Sequence, residues 1–266
     1  MHHERHGAGE PLLLITGWTI SAAVFEPVLE RYAEHFECIT YDHRGSARSG
    51  GKPPTSMAAL ADDAARLLTE LRISRAHVYG VSMGGMVAQE LALRHPARVR
   101  GLVLGGTTPG GPFAPRLGPL DVMAIARGGL EERGLRGPVL FSEDFRRERP
   151  ERVRELLRHF TANRSSAAAI GAQLLASARF NAVSRLPRLR APTLVMHGER
   201  DRLVPLAASR LLAARIPDAE LAVVPGAGHA YALEAPRESL ELLLEWRERR
   251  LPRPRPREEA HVASDR

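Results

Sequence analysis

Short apolar runs alternate with amphipathic stretches along most of this chain, and that alternation restricts the fold more than any other feature. Pro11 to Ile15 reads as a fully buried strand, followed by the loop Gly17-Trp18-Thr19. Phe25, Val28, Leu29, Tyr32 and Phe36 then recur at helical spacing. Cys38 to Tyr41 is a second strand, rich in β-formers, ending in a turn from Asp42 to Gly50. A helix follows from about Ser56, in N-cap position, with Leu60, Ala64, Leu67, Leu68 and Leu71 on one face. Ala76 to Val81 is the third strand, Met83 to Arg94 a helix closed by Pro96, and Val99 to Leu104 the fourth strand. The pattern resumes late in the chain with strands at Thr193–Met196 and Leu221–Val224 and helices near Leu206–Arg215 and Pro236–Arg250. Such repetition predicts an α/β fold, a mostly parallel sheet covered by helices on both faces.

Between Thr107 and Arg190 the alternation lapses. A Pro/Gly-rich segment, Pro109 to Pro119, opens the stretch, and helical patterns recur at Leu120–Glu132, Glu151–Ala162 and Ser166–Ala178 with no convincing strand. An interruption of about eighty residues is too long for an ordinary connection. The expected organisation is an α/β core from residues 1–108 and 191–250, a helical insertion at 109–190, and a disordered, extended Pro/Arg tail at 251–266. No internal repeat is visible.

Composition removes several function classes. At 44% hydrophobic and 26% charged residues, the chain is ordinary for a globular protein. Its longest aliphatic run, Leu12 to Ile15, is far too short for a membrane span, and Met1 to Glu10 lacks a secretory pattern, so a soluble cytoplasmic protein is expected. The single cysteine, Cys38, excludes an intramolecular disulfide framework. A net charge of +7 invites a nucleic-acid reading, but arginine supplies every basic residue except Lys52. The excess gathers in the Pro/Arg tail and around the insertion, from Arg127 to Arg164. With 5% aromatics and no basic–aromatic interleaving, stacking platforms are absent, so no nucleic-acid partner is expected. At most, the basic insertion would steer anionic substrates.

The chemistry lies at the strand ends. Gly80-Val81-Ser82-Met83-Gly84 matches G-x-S-x-G at a strand-to-helix junction, where the turn exposes the serine hydroxyl and side chains two positions either side would collide. A serine needs a base, and the base needs a carboxylate to hold its tautomer. Asp201, in His197-Gly198-Glu199-Arg200-Asp201, follows one late strand, and His229, in Gly226-Ala227-Gly228-His229, follows the other. Each stands just past the carboxyl end of a parallel strand, where open α/β sheets bind ligands. The order Ser, Asp, His is the one expected for a nucleophile elbow. Taken singly, Asp201 also reads as a helix N-cap, Glu199 as a rival acid, and His229 as an ordinary loop histidine. For the oxyanion, the Met83 N–H follows the nucleophile, and the Trp18 N–H, after the first strand, is the second candidate donor.

In these residues the chain resembles the α/β-hydrolase-fold serine hydrolases of the esterase, lactonase and cofactor-free haloperoxidase group. The resemblance covers about Pro11–Gly106 and Ala191–Arg247, carried by Leu12 to Trp18, Tyr41-Asp42-His43-Arg44-Gly45, Gly80–Gly85, Pro192 to Asp201, Gly226–His229 and Leu233-Glu234-Ala235-Pro236. It implies Ser82 as nucleophile, Asp201 as acid, His229 as base, Trp18 and Met83 as oxyanion donors, and Pro109–Arg190 as a cap over the active site. Three departures stand out. Thr16 replaces the usual His before the oxyanion-loop glycine, and Gly45-Ser46-Ala47 replaces the usual Gly-His-Gly. The family's antiparallel N-terminal strands have almost no room before Pro11, so about six strands are expected, with space for a vestigial edge strand in residues 2–10. His2, His3 and His6 in that segment raise a metal reading, which a frayed terminus explains more simply.

The expected reaction is hydrolysis of a carboxylic ester, lactone or thioester of a small, largely apolar substrate through an acyl-enzyme, with no cofactor and no metal. Perhydrolase or haloperoxidase-type chemistry and C–C bond hydrolysis use the same triad and stay open, as does a non-catalytic receptor on the same fold. Trp18, Met123 and Phe141 are the expected substrate-binding residues; oligomeric state is not legible.

Overall fold

The structure, a computed structural model, describes residues 1–114, 137–163 and 165–251. Seven strands form its central sheet: β1 (His3–His6), β2 (Pro11–Ile15), β3 (Glu37–Tyr41), β4 (Ala76–Val81), β5 (Val99–Gly105), β6 (Thr193–Gly198) and β7 (Ala219–Val224). Their order is β1-β3-β2-β4-β5-β6-β7. Only β1 runs antiparallel, to β3; the other pairings are parallel. The count is one above the six that apolar runs mark, and the addition is the edge strand for which residues 2–10 left room. His-Glu-Arg-His has no apolar run to announce it, because its residues alternate between exposed and half-buried. Backbone pairing with β3 and the ion pair between Arg5 and Glu37 hold it in place.

Why the inner strands read as unbroken apolar runs is visible in β2. Leu13 and Ile15 pack toward α2 (Met57–Glu70), α3 (Met83–Arg94) and α8 (Leu206–Arg215). Leu12 and Leu14 pack on the opposite face toward α1 (Glu26–Ala33), α9 (Tyr231–Glu234) and α10 (Pro236–Arg250). Alternate residues thus meet different helix layers, and neither face can be polar. Each such fully buried leucine contributes about 2 kcal/mol. α2 starts where Ser56 Oγ accepts the Ala59 N–H at 3.2 Å, and it buries Met57, Leu60, Ala61, Ala64, Leu67 and Leu68 along one stripe.

After β5 the described chain continues through α4 (Gly137–Leu140), α5 (Glu143–Glu148), α6 (Pro150–Thr161) and α7 (Ala167–Ala178) before it enters β6. Pro150 starts α6 at a position with no N–H to lose, and Val153, Leu156, Leu157 and Phe160 form its buried stripe while Arg152, Arg154 and Arg158 face outward. The segment is bound to the core near Ser21, whose Oγ donates to the Ala162 carbonyl at 3.0 Å, and by His159 Nδ1, 3.1 Å from Glu26 Oε2. The helix expected at Leu120–Glu132, with Met123, lies outside the described residues, as does the Pro/Arg tail after Leu251. Among the described residues, no helix is long and apolar enough to cross a membrane, and no group of His, Cys, Asp or Glu is placed to hold a metal.

Candidate active site

Ser82 stands between β4 and α3 with φ 57° and ψ −121°, a backbone conformation that non-glycine residues rarely adopt. Holding it costs on the order of 1–3 kcal/mol, which the surrounding packing must offset. The two flanking glycines make the turn possible. A Cβ on Gly80 would lie 2.2 Å from the Gly84 carbonyl oxygen, and one on Gly84 would lie 2.2 Å from the Ile15 carbonyl oxygen. Hydrogen bonds lock the turn. Ser82 N donates to the Gly105 carbonyl at 2.8 Å, and the Ser82 carbonyl accepts from Gly85 N at 2.9 Å and Thr107 Oγ1 at 2.6 Å. Met83 is the first residue of α3, so its N–H has no carbonyl one turn back within the helix to bond and lies at the positive end of the helix dipole.

Asp201 and His229 meet across 28 positions of sequence, with His229 Nδ1 2.8 Å from Asp201 Oδ2. The acid's other oxygen, Oδ1, accepts the N–H groups of Leu203 (2.8 Å) and Val204 (2.9 Å). Asp201 is not the N-cap of α8, which is Pro205; its Oδ1 instead closes a turn before that helix while Oδ2 faces His229. Burial pushes the Asp201 carboxyl up. The nearby His229, the Val204 N–H and His197 outweigh burial and hold it below its ordinary value. The rival Glu199 is half exposed and accepts from Gly226 N at 2.9 Å, away from the imidazole. Gly106 joins the two halves of the site. It follows Gly105, which binds the Ser82 amide, and its Cα hydrogen side faces the His229 ring, with a built Cβ 3.3 Å from Nδ1 and Cε1.

A second histidine stands behind the acid. His197 Nε2 lies 3.7 Å from Asp201 Oδ2, with Nδ1 2.8 Å from Ser209 Oγ and Nε2 3.1 Å from the Val204 carbonyl. His43 is packed against the loop after β2, with Nε2 3.4 Å from the Thr16 carbonyl. Burial drives both imidazoles below their ordinary values, against partial opposition from Asp201 for His197 and from the Thr16 carbonyl, Asp42 and Asp63 for His43. The unfolded chain takes up these protons at about pH 6.5, before the folded chain does. Stability from the two neutral rings is thus complete above about pH 6.5 and is lost as pH falls through the depressed folded values. Urea midpoints should be lower at about pH 5.5 than at about pH 7.5, and His197→Gln should flatten that difference. An unchanged midpoint would contradict the burial effect.

The remaining expected site residues occupy distinct surroundings. Trp18 is half-buried, and its indole N–H donates to the Ile170 carbonyl of α7 at 3.1 Å. Phe141 is 2% exposed, its ring stacked on Phe145 at 5.7 Å and edge-on to Phe160 at 6.2 Å. Met123 is outside the described residues. Two residues with no assigned role in the sequence tie loops at the strand ends to distant elements. Glu234 accepts Gly228 N (2.8 Å) and Ser142 N (3.0 Å) at Oε1 and Ser142 Oγ (2.7 Å) at Oε2, bridging the His229 loop to the start of α5. Burial raises its carboxyl pKa, against those donors. Gln173, 1% exposed in α7, binds the loop after Trp18. The available signal was a lone amide in an otherwise apolar run, Ala-Ala-Ala-Ile-Gly-Ala-Gln-Leu-Leu-Ala-Ser-Ala.

A sheet of this order, with a strained serine after its fourth strand and an Asp–His pair after its last two, defines the α/β-hydrolase class. The chain belongs to the alpha/beta hydrolase family, whose sequence model matches residues 6–242, and it is a hydrolase. It is 33% identical over 251 residues to the Azorhizobium caulinodans protein named "Putative carbamate hydrolase RutD", spanning 92% of this chain and 93% of that protein. Among solved structures it is similar to Est816, described as an N-acyl homoserine lactone degrading enzyme, with TM-score 0.77, 31% identity, and coverage of 92% and 95% of the two chains. It is also similar to a thermophilic esterase from Thermogutta terrifontis, with TM-score 0.77, 28% identity and 93% coverage of each chain.

Proposed function

We propose that this hydrolase cleaves a carboxylic ester or lactone of a small, largely apolar substrate through an acyl-enzyme on Ser82. The observation that carries the reading is the 2.8 Å contact of His229 Nδ1 with the fully buried Asp201 carboxylate, which directs Nε2 as the free base. His229 takes the Ser82 proton as Oγ attacks the substrate carbonyl carbon. The resulting oxyanion rests on the N–H groups of Trp18 and Met83. Collapse breaks the bond to the leaving alkoxide, which departs as the alcohol with the proton from His229. Water, deprotonated by the same imidazole, then attacks the acyl carbon, and the acid leaves as Ser82 regains its proton.

The lactone and esterase likenesses support this substrate class. Carbamates form a second class, favoured by the 33% identity with the Azorhizobium protein, and the same serine would attack their carbonyl. Two experiments test the proposal. A fluorophosphonate probe should label the protein on Ser82 and leave Ser82→Ala unlabelled; labelling of that variant would sink the assignment. A panel of nitrophenyl esters, acyl homoserine lactones and aryl carbamates should then rank the carbonyl classes by kcat/KM.

A further inference from the structure

Thr19 has φ 66°, a left-handed backbone that a β-branched residue adopts only under constraint. It directly follows Trp18 and stands two residues from Gly17, where a built Cβ would come 3.3 Å from Ser82 Cβ. The loop that passes beside the nucleophile is therefore held in a conformation its own sequence disfavours. Its restraint comes from α7. Gln173 Oε1 accepts the Thr19 N–H at 2.9 Å, and Ile170, one turn earlier, accepts the Trp18 indole N–H at 3.1 Å. The other end of the amide is engaged as well, with Gln173 Nε2 donating to Ser46 Oγ at 2.9 Å.

We propose that Gln173 is a positioning residue that sets the Trp18 amide for the oxyanion, by tying the Thr19 N–H to Ser46 through one buried side chain. The proposal rests on the reading of Ser82 as nucleophile and Trp18 as oxyanion donor. A side-chain amide buried to 1% exposure is costly unless both its ends are bonded, and both are. α7 needs no amide for packing: its other buried residues are Ala169 and Ala176, and a leucine would fill the same space. What leucine lacks is the acceptor for Thr19. Without it the Thr19 N–H loses its partner in a buried site, the left-handed turn relaxes, and Trp18 moves with it. An oxyanion donor acts only when aimed at the position of the developing charge, so the loss falls on the transition state and spares ground-state binding.

Gln173→Leu should therefore lower kcat for a nitrophenyl ester by about 10- to 100-fold with KM within about threefold, a smaller loss than the 10²–10³ expected on deleting a donor outright. Gln173→Glu keeps an acceptor for Thr19 and lets the Ser46 hydroxyl donate instead, so it should restore kcat to within about threefold although a buried carboxyl lowers Tm. Ser21→Ala removes a bond from core to insertion, 3.0 Å to the Ala162 carbonyl, that does not touch Trp18 or Thr19, and it should leave kcat unchanged. The proposal is overturned if Gln173→Leu loses less than about fivefold in kcat, if KM carries the loss, or if kcat follows Tm across the three variants. Ser82→Ala run in parallel separates the two readings. An inactive Ser82→Ala beside an unimpaired Gln173→Leu rejects only the positioning role, whereas an active Ser82→Ala rejects the nucleophile itself.

Discussion

Replacing Ser82 by alanine is expected to lower kcat for ester hydrolysis by on the order of 10⁴- to 10⁶-fold, with KM little changed, because it removes the oxygen that the proposed mechanism bonds to the acyl group. The fold should survive. The bonds that shape the turn are made by backbone groups, Ser82 N to the Gly105 carbonyl and the Ser82 carbonyl to Gly85 N and Thr107 Oγ1, and alanine keeps both backbone groups. Alanine also keeps the Cβ, and with it the strain of φ 57°. Ser82→Gly removes that strain, so it should be equally inactive yet more stable than Ser82→Ala by on the order of 1 kcal/mol, after part of the gain is lost to the greater freedom of glycine in the unfolded chain. Parallel urea titrations of the two variants read that difference. Equal midpoints would mean that the elbow stores no strain, and a catalytic rate near wild type in either variant would remove Ser82 from the reaction.

How much of this was legible in the sequence depended on the range of the interactions involved. β2, β4, α3, α8 and α10 have the bounds that their apolar periodicity marks, because burial on known faces is written in neighbouring residues. The strained turn at Ser82 was legible for the same reason: close approach forces glycine at 80 and 84, within two residues of the serine. Asp201 and His229 could be read only through chain order and strand ends, and their contact spans 28 positions. β1 could be expected only as room for an edge strand within residues 2–10, without bounds, because His-Glu-Arg-His carries no hydrophobic signature. The bonds from α7 to the Trp18–Thr19 loop were invisible. The Thr19–Gln173 bond joins residues 154 positions apart, and neither residue type has a pattern that names its partner. Glu234 stood inside a recognised run, yet its bond to Ser142, 92 positions away, emerges only from the fold.

Asp201→Asn separates the turn-forming contacts of Asp201 from its proposed duty toward His229. The asparagine oxygen can still accept the Leu203 and Val204 N–H groups at the Oδ1 position, so the turn before α8 should persist and the protein should fold. At the Oδ2 position, an amide NH₂ replaces a carboxylate that accepts the proton of His229 Nδ1 at 2.8 Å. Two donors then face each other unless the imidazole changes tautomer. The changed tautomer carries its proton on Nε2, where the base must be empty to receive the Ser82 proton. The charge that stabilises the imidazolium is lost as well. Together these effects predict a fall in kcat of about 10⁴-fold at neutral pH with modest change in KM. Glu199→Gln is the matching control. Glu199 lies two residues away and bonds only the Gly226 N–H among the described backbone donors, which glutamine can also accept, so its kcat should stay within about twofold. Steady-state rates of the two variants on one nitrophenyl ester decide the matter. If Asp201→Asn keeps more than about a tenth of wild-type kcat, or if Glu199→Gln proves the more damaging change, the carboxylate that orients His229 has been misassigned.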